Sequence, residues 1–208
     1  MARAVRVEFE GAFYHVMARG DRREPIVRDD ADRETFVRTL AEVSERSGFR
    51  VHAFVLMTNH YHLLLETPQA NLSRGMGWLQ NAFTRRINTR HRLWGHLFGG
   101  RYKAIPAEPG NCFWALLDYI HLNPVRAGMV AQAEHYRWSS AAAHCGLRSD
   151  DLLANESPWM VTLAGIADWS AWLAGVDEAD RLATLRKSAN ACVPCGSEAF
   201  VRDLGARL

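Results

Sequence analysis

Short apolar runs between turn residues predict four β-strands within the first 107 residues of the chain. Apolar runs at Ala12–Ala18, Val51–Met57 and His60–Thr67 are of strand length, and Arg101–Ala107 follows a Gly-Gly turn. The second and third strands are separated only by a Thr-Asn turn, so we expect them to form an antiparallel hairpin.

Helical periodicity fills the gaps between these strands. One predicted helix begins near Asp29, carries apolar side chains at Phe36, Val37, Leu40 and Val43, and ends at Gly48. A second helix is predicted to be capped by Asn71, with Met76, Leu79, Phe83 and Ile87 facing inward. A third is predicted to begin with Asn111 as its cap and to stop before Pro124, because proline does not fit inside a helix.

The order β-α-β-β-α-β is the ferredoxin-like arrangement, an α+β fold that RNA-recognition (RRM-like) domains share. We therefore expect an antiparallel sheet with two helices on one face. The other face is left for a ligand or for the later helix.

Composition adds one expected boundary and one expected location. The chain has 208 residues, of which 48% are apolar, so one core domain with an appendage is expected. Residues 1–145 hold 19 basic against 14 acidic residues, whereas 146–208 hold 6 against 9, which predicts a separate helical C-terminal extension. No apolar run approaches about 18 residues and the first ten residues mix charges with apolar positions, so we expect a cytoplasmic protein with no membrane span.

Arginine dominates the basic residues and forms a block without acids. Between Arg74 and Lys103 there are seven basic residues and no Asp or Glu. Arginine binds phosphate bidentately, so the block predicts contact with a polyanion, although a solvated helix face would have the same composition. The candidate DNA-binding residues are Arg85, Arg86, Arg90, Arg92, Arg101 and Lys103.

Two histidines of the third strand form the first candidate for chemistry. His60 and His62 are two residues apart, so their side chains point to the same face of a strand and can converge on one metal ion. The alternative is two half-exposed strand histidines without a ligand. Glu66 shares their face and is expected either near the site or as a surface charge at the strand end.

A tyrosine and an asparagine of the third helix form the second candidate. Tyr119 and Asn123 are four residues apart and share one helix face. Tyrosine can act as a nucleophile, and an asparagine carbonyl can bind a metal. Alternatively, Tyr119 is a core residue and Asn123 caps a helix that begins at Pro124.

Taken together, these motifs resemble the HUH single-strand DNA nucleases with one catalytic tyrosine. Within that group the chain is most similar to the REP-associated tyrosine transposases, relatives of the single-strand insertion-sequence transposases. The resemblance spans about residues 10–142. It is carried by Phe13–Val16, Arg19-Gly20, Asn59–His62, Gly95–Phe98, Arg101–Lys103, Tyr119–Gly128 and Tyr136–Ser140.

The resemblance implies an activity and a set of roles. Tyr119 is the implied nucleophile, while His60, His62 and Asn123 bind Mg²⁺ or Mn²⁺. The insertion-sequence relatives often use Gln at the last of these positions, and Asn is typical of the REP-associated branch. The implied reaction cleaves and rejoins single-stranded DNA near REP-like hairpins through a 5′-phosphotyrosine, with a monomer or homodimer as the active form.

Two other functions fit parts of the sequence. A non-catalytic RRM-like module would use aromatic and basic residues to bind nucleic acid, but it leaves the histidines and Tyr119 without a role. A zinc hydrolase would use the histidines, a third ligand and water. Trp78, Trp94 and Tyr102 lie within the basic block and are candidates either for base stacking or for core packing.

Overall fold

The computed structural model describes residues 7–154, 166–175 and 193–206. Residues 155–165 and 176–192 of the expected C-terminal extension lie outside the described ranges, so the boundary at residue 145 stays a prediction. The strands are β1 (Ala12–Arg19), β2 (Arg50–Leu56), β3 (His60–Thr67) and β4 (Lys103–Ala107). The helices are α1 (Asp30–Ser47), α2 (Leu72–His91), α3 (Asn111–His121), α4 (Asn123–Arg126), α5 (Ala141–His144), α6 (Trp169–Ala174) and α7 (Glu198–Gly205), with 3-10 turns at Asp21–Arg23 and Ala133–His135.

The four strands form one antiparallel sheet in the order β2-β3-β1-β4. The central pair runs in continuous register from Ala12 opposite Thr67 to Arg19 opposite His60. This is the strand order of a ferredoxin-like fold, so the predicted fold class is confirmed.

Helices α1 and α2 cover one face of the sheet, as predicted. Their apolar side chains pack with strand residues such as Val16 and Leu63 into one buried core. The side chain of Asp29 accepts the backbone N–H of Asp32 at 3.0 Å and caps α1. Gly48 ends α1 at φ 68°, a left-handed conformation that glycine adopts without a steric cost.

Three predictions about the ends of elements were wrong in detail, each for a local reason. The fourth strand begins at Lys103, because Tyr102 directs its N–H to the Gln80 side chain (3.3 Å) instead of to a neighbouring strand. Asn71 precedes α2 but its side-chain amide donates to the Ser47 carbonyl at 2.9 Å, so it ties α2 to α1 and does not cap α2. Asn111 is the first residue of α3, without a capping hydrogen bond from the residue before it.

Helix α3 covers part of the opposite sheet face, which the sequence left for a ligand or for the later helix. Phe113, Leu117 and Ile120 are fully buried and pack with Phe13 and Leu64 of the sheet. The rest of this face, toward the C-terminal end of β1 and the start of β3, is not covered by α3. Tyr119, near the end of α3, therefore lies at the border between packed core and open sheet.

The described parts of the C-terminal region pack beside α3. The Trp172 indole N–H donates to the Asp118 carboxylate at 2.9 Å, and Trp114 contacts the rings of Trp169 and Trp172. Cys195 pairs with the edge of β4 through backbone hydrogen bonds. Within the described ranges, no helix is both long enough and apolar enough to span a bilayer.

Candidate active site

His60 and His62 lie on the sheet face that α3 leaves partly open. Their ring centroids are 5.2 Å apart and the rings are nearly perpendicular. Tyr61 points to the other face and is fully buried against α1. The alternation that the sequence predicted therefore places both imidazoles on one side of β3.

A hydrogen-bond chain determines which nitrogen of His60 carries the proton. The Asn59 side-chain N–H₂ donates to the Arg23 carbonyl at 2.9 Å, which orients the Asn59 amide oxygen toward His60 Nδ1 at 2.7 Å. An amide oxygen only accepts, so His60 Nδ1 carries the hydrogen and Nε2 keeps its lone pair. Burial, together with the charge of Arg19, lowers the pKa of His60 to about 4. His60 is thus neutral, with Nε2 available as a ligand.

His62 is buried against a third histidine that the sequence did not single out as a site residue. His15 of β1 is 1% exposed, and its Nε2 lies 2.9 Å from His62 Nδ1. Burial lowers the pKa of His15 to about 3 and that of His62 well below its usual value, so both rings are neutral. Since one ring must donate to the other, His62 keeps a lone pair on Nε2 only when its own Nδ1–H donates to His15.

The chain turns between α3 and α4 and thereby brings Tyr119 and Asn123 to the histidines. The Tyr119 ring packs edge-on against His62, with centroids 5.4 Å apart, and against His15 at 5.7 Å. Asn123 lies beside the His60 side chain, where its amide opposes the lowering of the His60 pKa by burial. The structure therefore brings together all four residues that the sequence proposed for the nucleophile and the metal site.

Arg126 holds Tyr119 in place, a contact that the sequence analysis missed. Its guanidinium donates to the Tyr119 carbonyl at 2.5 Å and lies 4.5 Å from the centroid of the Tyr119 ring. Pro124 has no N–H, so the chain after α3 cannot continue its hydrogen-bond ladder without a gap. An arginine three residues after Asn123, just past the end of α3, was the signal that could have identified this contact.

Five basic residues surround the open cleft above the histidines. Arg101 and Lys103, two of the predicted DNA-binding residues, line this cleft together with His60 and His62. Arg19, Arg22 and Arg23 line it from the other side and were not predicted. The five basic side chains are exposed, and within the described part of the chain they form no ion pair.

The predicted basic residues of α2 lie in the helical layer, away from the histidine pair. Arg86 pairs with Glu42 of α1 at 2.7 Å, and Arg90 pairs with Asp29 and Asp32. Arg85 lines a shallow groove with Arg86 and Arg90. Arg92 is exposed in the left-handed conformation that ends α2. A contact of these four residues with DNA stays a prediction.

Glu66 is neither a surface charge nor a neighbour of the histidine pair. Its carboxylate is 7% exposed and binds Arg50 at 2.7 Å and His52 at 3.0 Å. Burial raises the pKa of Glu66, but the hydrogen bonds from His52 and Arg50 outweigh burial and lower it. Glu66 was expected near the site or as a surface charge, and both expectations were wrong. It is buried, and because a buried carboxylate needs charged or hydrogen-bonding partners, it pairs with Arg50 and His52 and not with the histidine pair.

The donor set fits a divalent cation with open coordination positions. His60 Nε2 carries a lone pair, His62 Nε2 carries one when its Nδ1–H donates to His15, and Asn123 supplies an amide oxygen beside His60. Within the residues that the structure describes, no three His, Cys, Asp or Glu side chains are placed to share an ion. Two imidazoles and an amide leave room for water and for substrate oxygens.

The fold and the residues at its open face define a ferredoxin-like domain with a tyrosine-bearing helix on the sheet. The model of the IS200-like transposases matches residues 9–123, more than half of the chain. The chain therefore belongs to the IS200-like transposase family. The match ends at Asn123 and includes all four residues of the site described above.

Two solved structures resemble the chain. A REP-associated tyrosine transposase bound to a REP hairpin superimposes with a TM-score of 0.61 at 18% identity, over 75% of this chain and 96% of that one. A crystal structure of a candidate transposase from Deinococcus radiodurans R1 gives a TM-score of 0.41 at 18% identity, over 62% and 98%. No curated protein matches the sequence. The family model confirms the resemblance to the IS200-like transposases, and the first superposition confirms the fold.

Proposed function

We propose that this protein is a metal-dependent single-strand DNA endonuclease and strand transferase that cleaves near hairpins through a 5′-phosphotyrosine at Tyr119. The observation that carries the proposal is the contact of the Tyr119 ring with His62, together with the placement of the Asn123 side chain beside His60. Membership of a transposase family supports a DNA substrate.

In this proposal His60, His62 and Asn123 hold Mg²⁺ or Mn²⁺. The bound cation withdraws charge from the scissile phosphate as a Lewis acid. Imidazoles also suit softer ions, so the choice of a hard cation rests on the amide oxygen of Asn123 and on the family resemblance.

The chemical step exchanges one phosphate ester for another. The Tyr119 hydroxyl oxygen attacks phosphorus, the bond from phosphorus to the 3′ oxygen breaks, and the leaving 3′ oxygen takes up a proton. The tyrosine proton passes to solvent or to a substrate oxygen. Because the new phosphotyrosine ester is as reactive as the bond that was cleaved, a later 3′-hydroxyl can reverse the attack and rejoin strands without ATP.

Neighbouring side chains keep the reacting groups oriented before DNA binds. Asn59 sets the His60 tautomer, and His62 Nε2 keeps its lone pair when His62 Nδ1–H donates a hydrogen bond to His15. The Arg126 guanidinium contacts the Tyr119 ring and also donates a hydrogen bond to the Tyr119 carbonyl, so it holds both the side chain and the backbone of Tyr119 in place. Such preorganisation lowers the entropic cost of attack.

The basic cleft beside the histidines suits a DNA backbone. Arg19, Arg22, Arg23, Arg101 and Lys103 provide five positive charges that can replace the counterions of phosphates. A hairpin as substrate is supported by the REP hairpin in the structure of the 18%-identical transposase. A monomer or homodimer as the active form stays a prediction.

A covalent trapping assay tests the proposal. The full chain is incubated with Mn²⁺ or Mg²⁺ and a labelled hairpin oligonucleotide with single-stranded 5′ and 3′ flanks, then separated on a denaturing gel. Suitable hairpins are inverted repeats near the gene. We expect a covalent protein–DNA band that disappears in Tyr119→Phe and with a chelator.

Each alternative function gives a different gel. Cleavage without a covalent band, unchanged in Tyr119→Phe, identifies a water-using hydrolase. Binding without cleavage, across several hairpins and both metals, identifies a non-catalytic RRM-like module. Tyr136→Phe is the matched control, because its hydroxyl donates to a backbone carbonyl on β2 and Tyr136 does not line the cleft.

A further inference from the structure

Trp94 is the one exposed side chain among the three candidates for base stacking in the basic block. It is 92% exposed, whereas Tyr102 is 4% exposed and part of the core. Trp78 is half-buried and packs beneath Arg46, whose guanidinium lies 4.9 Å from its centroid. Leu93, the residue before Trp94, is 41% exposed and lines the same groove as Trp94, so the indole is part of an exposed apolar patch of the kind that marks a binding surface.

Hydrogen bonds hold the segment that carries Trp94 against the end of β1. The Asn88 side chain donates to the Gly95 carbonyl at 3.0 Å. Further along, Asp21 N–H donates to the Leu97 carbonyl and Gly99 N–H to the Arg19 carbonyl, both at 3.0 Å. The exposed indole is therefore attached to an anchored segment, which lowers the entropy that a stacking contact would cost.

The surface between Trp94 and the histidines is continuous. Asp21 and Arg22 line the cleft that contains His60 and His62, and both also line the adjoining groove formed by Trp94, Leu93 and His96. Arg22 has a left-handed backbone (φ 50°) and an exposed side chain between the two. A strand whose phosphates contact Arg22 at the cleft can thus place a base on the indole.

We propose that Trp94 stacks on an unpaired nucleobase of the DNA strand that leads to the candidate cleavage site, with Arg22 binding the phosphate between them. This inference rests on the proposed function, because it assigns one contact of the same substrate. Stacking on an indole requires an unpaired base with a free face, so Trp94 selects single-stranded flank over duplex without reading its sequence.

Fluorescence anisotropy with a labelled hairpin carrying a single-stranded thymidine flank tests the contact. Trp94→Ala is expected to weaken binding on the order of tenfold, and Trp94→Phe much less, because phenylalanine keeps an aromatic face. A blunt hairpin without the flank should bind Trp94→Ala and the wild type equally. Leu147→Ala is the control, since Leu147 is 65% exposed and lies outside the cleft.

An abasic scan of the flank locates the base. In the wild type, an abasic site at one flank position should weaken binding about as much as Trp94→Ala, and the two changes together should cost no more than either alone. The slope of the logarithm of the binding constant against the logarithm of the salt concentration should be unchanged in Trp94→Ala. In Arg22→Ala this slope should become less steep by about 0.7, because only the arginine releases a counterion when it contacts a phosphate.

The outcomes separate this inference from the proposed function. If the wild type binds the flanked hairpin and Trp94→Ala binds it equally well, the stacking contact is wrong and the endonuclease proposal stands. If Trp94→Ala weakens binding of the blunt hairpin as much as binding of the flanked hairpin, stacking on an unpaired base is also contradicted. If the wild type binds no hairpin at all, the proposed function fails as well.

Discussion

Replacing His15 by leucine tests whether a second imidazole sets the proton position of His62. In the folded protein His15 Nε2 lies 2.9 Å from His62 Nδ1, and both rings are buried. Leucine has similar bulk but no acceptor. His62 then either keeps a buried N–H without a partner, which costs about 1–3 kcal/mol, or moves its proton to Nε2 and loses the lone pair that a cation needs.

The expected result is a 10- to 100-fold loss of Mn²⁺ affinity, the usual effect of removing a partner that orients a metal-binding histidine. Isothermal titration calorimetry of the full chain with Mn²⁺, without DNA, measures this directly. His15→Gln should recover part of the affinity, because its amide oxygen can accept from His62 Nδ1.

A matched control separates metal binding from stability. His52 is also buried and loses its bond to Glu66 in His52→Leu, so that variant should be destabilised without losing Mn²⁺ affinity. Urea unfolding of all three variants gives the stability change on its own. If His15→Leu binds Mn²⁺ as tightly as the wild type, or His52→Leu binds it as weakly as His15→Leu, the role assigned to His15 is wrong.

Three further predictions concern stability and metal binding. Asp32→Ala should lower the free energy of unfolding by about 3 kcal/mol in urea, because the buried carboxylate accepts from the Arg28 N–H and from His91. Burial raises the pKa of Asp32, but these hydrogen bonds lower it more. When unfolding is measured against pH, the contribution of Asp32 to the free energy of unfolding should therefore be complete above the ordinary carboxyl pKa. It should disappear as the pH falls through the lowered pKa of the folded protein. Tyr136→Phe should cost about 1 kcal/mol in the same urea assay and leave the covalent DNA band intact, since its hydroxyl makes one buried hydrogen bond. Mn²⁺ at 100 times its Kd should stabilise the wild type by about 2.7 kcal/mol in thermal unfolding and leave His62→Ala unchanged; an equal shift in both would place the ion elsewhere.

Much of the fold was predictable because its determinants are local. Strand β3 was predicted from a short apolar run, and the shared face of His60 and His62 follows because successive side chains of a strand point to opposite faces. Helix α1 follows from the helical spacing of apolar residues between Asp29 and Gly48. The start of β4 was not predictable in the same way. Tyr102 continues the strand pattern in sequence, but its N–H pairs with Gln80 of α2, a contact that exists only after the helix packs.

The basic residues show more clearly that the sequence pattern does not determine contacts between distant parts of the chain. The block from Arg74 to Lys103 is uniform in sequence, yet folding divides it between two surfaces. Arg86 and Arg90 form ion pairs with α1 and its cap, whereas Arg101 and Lys103 line the cleft beside the histidines. Charge composition records how many arginines are present and not which layer of the fold each one faces.

Sequence by itself determined which residues could do chemistry, because strand alternation and four-residue helical spacing relate neighbours along the chain. It therefore identified His60, His62, Tyr119 and Asn123. Only the tertiary structure brought β1 beside β3 and turned the chain after α3, and so added His15 and Arg126 to the site. Those contacts join residues far apart or across a helix break, where no periodicity relates one side chain to the other.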